Sequence, residues 1–133
     1  TYNYFQNKKS FTILFYNFLT NFFIFLVFIL LFYFFGEEVL TFLFNKNYSQ
    51  FSKELYFLTF SFAFIGFIKI IVLYLFSIND NNYAVPLFVG MMIVLFLCFK
   101  STSFIEFINF MVFGYLVLFL FMIFYIFRHK LLS

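Results

Sequence analysis

Long apolar runs separated by short polar gaps are the dominant pattern along this chain. Four runs approach the length of about 20 apolar residues that a membrane-spanning helix needs, and they cover residues 11–35, 55–78, 83–99 and 104–127. The gaps between them are polar, with NKNYSQ at 45–50, NDNN at 79–82 and KSTS at 100–103. A segment inside a bilayer must satisfy its own backbone hydrogen bonds, so the pattern predicts an all-α protein with four transmembrane helices.

Three shorter segments flank these runs. Gly36 can end a helix, and Glu37 and Glu38 would then occupy the first turn of a new one, where the helix dipole favours carboxylates. The apolar side of residues 37–44 predicts a short helix lying along the membrane surface. Continuation of the first span is the alternative. Residues 1–10 are predicted to form a lead-in and residues 128–133 a basic tail, both cytoplasmic.

Composition decides the class of protein. The 133 residues are 66% hydrophobic and only 10% charged, and 31 of them are Phe. A soluble domain needs about a quarter of its residues charged, so the composition predicts a protein embedded in a lipid bilayer. The excess of Phe with Ile, Asn, Lys and Tyr, and the absence of Trp, is typical of an AT-rich genome. We therefore do not interpret the Phe residues as an aromatic binding surface.

Charge near the span ends predicts the orientation. The basic residues on the side of both termini are Lys8, Lys9, Arg128 and Lys130, and those on the opposite side are Lys46, Lys53 and Lys100. This bias places both termini in the cytoplasm by the positive-inside rule. A net charge of +3 that is spread over loops does not suggest nucleic-acid binding. The chain begins without a cleavable signal sequence, which suggests the C-terminal part of a longer membrane protein.

The sequence offers little for catalysis. It contains no Gly-rich phosphate loop, no HExxH and no CxxC, and its single Cys98 lies in an apolar run. A lone apolar Cys is usually a small buried side chain. We therefore predict no enzyme activity, no metal and no cofactor.

Lys69 is the most informative polar residue. It lies nine residues before the end of the second span at Ile78, which is about 13 Å along a helix. A charge at the centre of a membrane helix costs about 2.5–3.5 kcal/mol and usually faces a bundle interior or a water-filled cavity. Lys69 therefore either lines a path for an anionic substrate or serves as a paired or snorkelling structural lysine.

Two further groups of polar residues lie within the spans. Asn17, Thr20 and Asn21 share one face of the first span, where they either form interhelical hydrogen bonds or line a polar cavity. Glu106 and Asn109 share a face near the start of the fourth span, where an interfacial role is favoured. A pair between Lys69 and Glu106 would require the helices to tilt.

Residues 34–88 resemble the late part of Wzx-type polysaccharide flippases, which belong to the multidrug/oligosaccharidyl-lipid/polysaccharide exporter superfamily. The similarity covers about half of the chain and rests on an acidic-apolar run followed by a loop with a tyrosine. The matching residues are Glu37, Glu38, Val39, Leu40, Leu43, Phe44, Lys46, Asn47 and Tyr48. Asn45 replaces the usual glycine, and Asn tolerates left-handed turns well.

This resemblance implies a transporter rather than a complete small protein. The chain would supply the last helices of a two-bundle transporter of about 12–14 helices, with the missing N-terminal helices of the same chain as its partners. The substrate would be an undecaprenyl-pyrophosphate-linked oligosaccharide, moved by alternating access across a bacterial inner membrane. A small four-helix structural subunit of a membrane complex is the alternative. A membrane enzyme is disfavoured because the polar loops are too short.

Overall fold

The computed structural model describes the backbone of residues 2–132 and the side chains of residues 11–128. Four α-helices occupy most of this range: α1 (Tyr2–Leu43), α2 (Ser52–Ser77), α3 (Ala84–Lys100) and α4 (Phe104–Leu132). A short 3-10 helix at Lys46–Phe51 joins the first two. The described residues form no strand, which confirms the prediction of an all-α fold.

Three segments are long and apolar enough to cross a membrane. They are Phe11–Leu43, Lys46–Ser77 and Phe104–Arg128. The third helix has 17 residues and is about 26 Å long at 1.5 Å per residue, so it falls short of the hydrocarbon core of about 30 Å. A membrane crossing by α3 therefore stays a prediction. Pro86 lies in the first turn of α3, where its missing N–H leaves no bond unmade.

The first helix differs in detail from the sequence prediction. The lead-in at residues 2–10 is helical and continuous with the first span, and the tail is helical to Leu132. Phe35, directly before Gly36, has non-helical dihedral angles, with φ −122° and ψ 16°, and two helical segments meet there within Tyr2–Leu43. This break agrees with the predicted helix end at Gly36. Residues 37–43 are helical beyond the break, and the placement of 37–44 along the membrane surface stays a prediction.

The helices lie side by side as a layer in the order α1, α2, α4, α3. α2 and α4 form the middle of the layer, and the buried core lies mainly along their contact, where Ile71, Leu75 and Met122 are fully buried. Phe18 of α1 stacks on Phe67 of α2 at a centroid distance of 4.8 Å, and Phe67 lies 5.4 Å from Phe119 of α4. These rings join three helices on one face of the layer.

Glycine permits close approach along two of the helix contacts. A Cβ atom at Gly36 would lie 3.3 Å from Cβ of Ser52, so α1 and α2 approach each other closely there. A Cβ atom at Gly114 of α4 would lie 2.7 Å from Cγ2 of Val94 on α3. Lipid tails are as apolar as Leu, so membrane helices associate through such close packing rather than through exclusion of water.

Candidate functional site

Lys69 lies on the exposed side of α2. Its neighbours on that side are Phe62, Leu73 and Phe76, which are all more than half exposed. Lys69 follows Phe67 by two residues, which is a rotation of about 200° around the helix axis. The Lys69 side chain therefore points away from Phe67 and from the aromatic face of the layer. Within residues 11–128 the Lys69 side chain has no hydrogen-bond or ion-pair partner. It lies eight residues before the end of α2 at Ser77, or about 12 Å along the helix axis.

The contact between Gly66 and Asn21 aligns α1 with α2. A Cβ atom at Gly66 would lie 3.0 Å from Nδ2 of Asn21, and the two helices run in opposite directions. Lys69, three residues after Gly66, is therefore level with residues 17–20 of α1. Asn17 lines a small groove of about 180 Å³ together with Leu73, one turn from Lys69.

Asn17, Thr20 and Lys69 thus share one face of the layer at one depth, and we call them the polar strip. Asn17 and Lys69 are exposed. Thr20 is exposed as well, and its hydroxyl donates to the Tyr16 carbonyl at 2.9 Å, which satisfies the hydroxyl proton within α1. The structure brings together two groups of residues that the sequence analysis treated separately.

Asn21 is separated from the polar strip. Its side chain packs on Gly66 and Phe25 in the contact between α1 and α2. Its Nδ2 atom is buried without a hydrogen-bond partner. A buried amide that makes no hydrogen bond costs about 1–3 kcal/mol, so Asn21 weakens this contact rather than holding the two helices together.

Glu106 caps the start of α4. Its Oε2 atom accepts hydrogen bonds from the Thr102 N–H at 2.9 Å and from the Thr102 hydroxyl at 2.8 Å. The Glu106 N–H donates to Oγ of Ser103 at 3.2 Å. The bond to Ser103 is one half of a capping box, whereas the Glu106 carboxylate reaches one residue further back, to Thr102. The S-x-x-E pattern at 103–106 indicates such a cap. Asn109 is exposed one turn further along α4.

The idea of a Lys69–Glu106 pair is wrong. Phe51 and Phe104 are in ring contact at 5.8 Å, so the starts of α2 and α4 lie at the same end of the layer. Glu106 stays near that end, whereas Lys69 is eighteen residues beyond Phe51, or about 27 Å along α2. Helix tilt does not close such a gap.

Sequence reasoning missed Asp80, which it treated as part of a polar gap. The Tyr125 hydroxyl of α4 lies 3.0 and 2.9 Å from the two carboxylate oxygens of Asp80. Asp80 also accepts from the Asn82 N–H at 3.1 Å and is 7% exposed. The loop after α2 is thereby attached to α4.

The backbone of this loop forms a specific turn at the end of α2. Asn79 has a φ of 57°, and the Asp80 N–H donates to the Leu75 carbonyl at 3.0 Å. The Asn79 N–H donates to the Phe76 carbonyl at 3.1 Å. These two bonds form a Schellman motif, which ends α2. Asn at a helix end followed by Asp was the sequence signal, because both residue types favour such turns.

A scan against protein-family models and searches of curated proteins and of solved structures gave no match. The similarity to Wzx-type flippases therefore stays a prediction from the residues at 34–88.

The polar strip offers groups that bind ligands. An ammonium group on α2 and an amide and a hydroxyl on α1 lie at one depth on one face of the layer. A lysine ammonium attracts phosphate and carboxylate groups as a point charge, and an amide donates and accepts hydrogen bonds. Such a set suits an anionic ligand that carries hydroxyl groups.

Proposed function

We propose that this chain forms the C-terminal helices of a bacterial inner-membrane transporter that flips a lipid-linked oligosaccharide by alternating access. The polar strip of Asn17, Thr20 and Lys69 would line the substrate path. Sequence similarity to the flippases at 34–88 supports the substrate class. The observation that carries the proposal is the position of Lys69, exposed on a membrane-length helix about 12 Å from its end.

The free-energy cost of placing a charge in hydrocarbon favours an arrangement in which protein or water covers Lys69. A lysine stem snorkels over only part of a distance of about 12 Å, and a charge held in hydrocarbon costs about 2.5–3.5 kcal/mol. The described helices leave this face of the layer exposed, so further helices of the transporter would enclose it around a polar cavity. There, the ammonium group would attract the pyrophosphate of the substrate.

An export assay in cells that carry the full transporter tests the role of the charge. We expect Lys69→Ala and Lys69→Gln to abolish export and Lys69→Arg to retain part of it, with membrane insertion unchanged. Lys53→Ala is the matched control, since Lys53 is also exposed but lies in the first turn of α2. Normal export by Lys69→Ala would reject the proposal.

Cysteine accessibility distinguishes a water-filled path from a dry helix contact. In a Cys98→Ala background, Lys69→Cys should react with a membrane-impermeant thiol reagent, and an anionic substrate analogue should slow the reaction. Val117→Cys, at an exposed position of α4, should not react if it faces lipid.

The second candidate function is a structural subunit of a membrane complex, in which Lys69 pairs with an acidic side chain of a neighbouring helix. The apolar surroundings of Lys69, formed by Phe62, Leu73 and Phe76, favour this reading because they suit a docked helix. A Lys69→Cys variant that is inert to the reagent, with Lys69→Ala causing loss of a co-purifying subunit, would support it over transport.

A further inference from the structure

An apolar groove of about 530 Å³ lies on the face of the layer opposite the polar strip. Phe67 and Ile71 of α2 form its floor, and α1 and α4 form its walls. Every lining side chain is Phe, Leu or Ile. Its volume is within the range of about 300–1,000 Å³ that is typical of small-molecule sites, but the lining offers no polar group to orient a polar ligand.

The length of the groove matches one leaflet of a bilayer. Along α1 it extends from Phe11 to Phe22, which is about 16 Å at 1.5 Å per residue. Half of a hydrocarbon core of about 30 Å is about 15 Å. The groove is therefore about as long as one leaflet of the hydrocarbon core is thick.

The lining suits a hydrocarbon chain better than another helix. Helices in membranes approach each other at small residues, and two contacts of this fold follow that rule, at Gly36 and Gly66 between α1 and α2 and at Gly90 and Gly114 between α3 and α4. No Gly, Ala, Ser or Thr lines the groove. A flexible chain fills the irregular spaces between Phe rings, whereas a helix would be held away by them.

Basic residues occur in the sequence next to the groove end that is formed by Phe11 and Phe127. Arg128 is exposed and directly follows Phe127, which lines the groove on α4. Lys8 and Lys9 lie in α1 within one turn before Phe11. A cluster of Lys and Arg next to a membrane-embedded surface attracts anionic lipid headgroups.

We propose that this groove binds one acyl chain of an anionic glycerophospholipid, with the lipid phosphate next to Arg128. The lipid belongs to the leaflet that contains the start of α1 and the end of α4. This site is independent of the proposed transport path, because it lies on the opposite face of the layer.

The absence of Trp from the chain permits a direct test. Phe15 and Tyr16 are adjacent on α1 and similarly exposed, at 60% and 63%, but only Phe15 lines the groove. Phe15→Trp and Tyr16→Trp therefore form a matched pair at one depth. Each variant is reconstituted in vesicles of equal amounts of dioleoyl phosphatidylcholine and dioleoyl phosphatidylglycerol, with bromine on the acyl chains of one lipid or the other as a quencher.

We expect brominated phosphatidylglycerol to quench Phe15→Trp with about fivefold higher apparent affinity than brominated phosphatidylcholine, as a single basic residue at a membrane surface produces. Tyr16→Trp should be quenched equally by both lipids. Combining Phe15→Trp with Arg128→Gln should abolish the preference while helicity by circular dichroism is kept. Equal quenching of Phe15→Trp by both lipids would overturn the proposal. So would a Phe15→Trp signal that neither lipid quenches, since that result would mean that protein covers the groove.

Discussion

The contact between Asp80 and Tyr125 joins two helices that are distant in sequence, and its removal has a calculable effect. Tyr125→Phe deletes one hydroxyl that lies 3.0 and 2.9 Å from the carboxylate oxygens and keeps the apolar ring. A hydrogen bond to a charged group contributes about 1.5–3 kcal/mol in proteins generally. Side-chain hydrogen bonds between membrane helices are weaker, at about 0.6 kcal/mol on average and about 1.7 at most.

Three features place this contact in the upper part of the membrane range. The acceptor is a carboxylate, it is only 7% exposed, and both of its oxygens are near the hydroxyl. Asp80 keeps the Asn82 N–H as a donor in the variant, which limits the loss. We therefore expect Tyr125→Phe to lower the free energy of unfolding by about 1–1.5 kcal/mol.

A double-mutant cycle isolates the pair. Tyr125→Phe, Asp80→Ala and the double variant are unfolded in SDS and followed by far-UV circular dichroism, and the coupling free energy should be about 1 kcal/mol. Tyr115→Phe is the matched control, since Tyr115 is also a half-buried residue of α4 and its hydroxyl makes no hydrogen bond within residues 11–128. A coupling below about 0.3 kcal/mol would refute the reasoning.

Three further predictions concern packing, capping and the buried amide. Gly114→Leu should detach α3 from α4, because the stiff, buried Val94 occupies the space that the new side chain would need; protease accessibility of α3 would rise, and an unchanged digestion pattern would contradict this. Glu106→Ala should destabilise the start of α4, because it removes the acceptor of two hydrogen bonds from Thr102; faster hydrogen exchange at Phe104–Phe107 would show this, whereas Asn109→Ala should have little effect. Asn21→Leu should stabilise the contact with α2 by about 1 kcal/mol, since it replaces an unpaired amide; a loss of stability in SDS unfolding would show that Asn21 has a partner in the membrane.

The four α-helices could be predicted from the sequence, because a long apolar run in lipid satisfies its backbone hydrogen bonds by forming a helix. The break in α1 at Phe35 could also be predicted, because the neighbouring Gly36 can end a helix. The close approach of Gly36 to Ser52 of α2 could not be predicted. Such an approach depends on which residue of the partner helix lies opposite Gly36, and the sequence around Gly36 does not indicate that residue.

In the candidate site, too, features set by neighbouring residues could be predicted from the sequence, and contacts between distant helices could not. The depth of Lys69 follows from counting residues, and the capping role of Glu106 could have been found from Ser103, three residues before it. The Asp80–Tyr125 contact spans 45 residues, and the separation of Asn21 from Asn17 depends on where Gly66 lies. Both arise from helix order and register, which the apolar pattern does not encode because apolar residues occur on every side of each helix.

The unequal faces of the layer indicate how it would sit in a larger assembly. The groove on one face is lined only by Phe, Leu and Ile, and lipid solvates these side chains as well as protein does. The opposite face exposes Lys69, Asn17 and Thr20 far from the helix ends, and hydrocarbon solvates them poorly. We therefore expect additional protein or water to cover the polar face first, with the groove remaining at the lipid boundary. Spin labels at Phe76→Cys and Phe124→Cys, both exposed at 67%, would test this: collisions with lipid-soluble oxygen should be frequent at the α4 position and suppressed at the α2 position, and equal accessibility would show that neither face is covered.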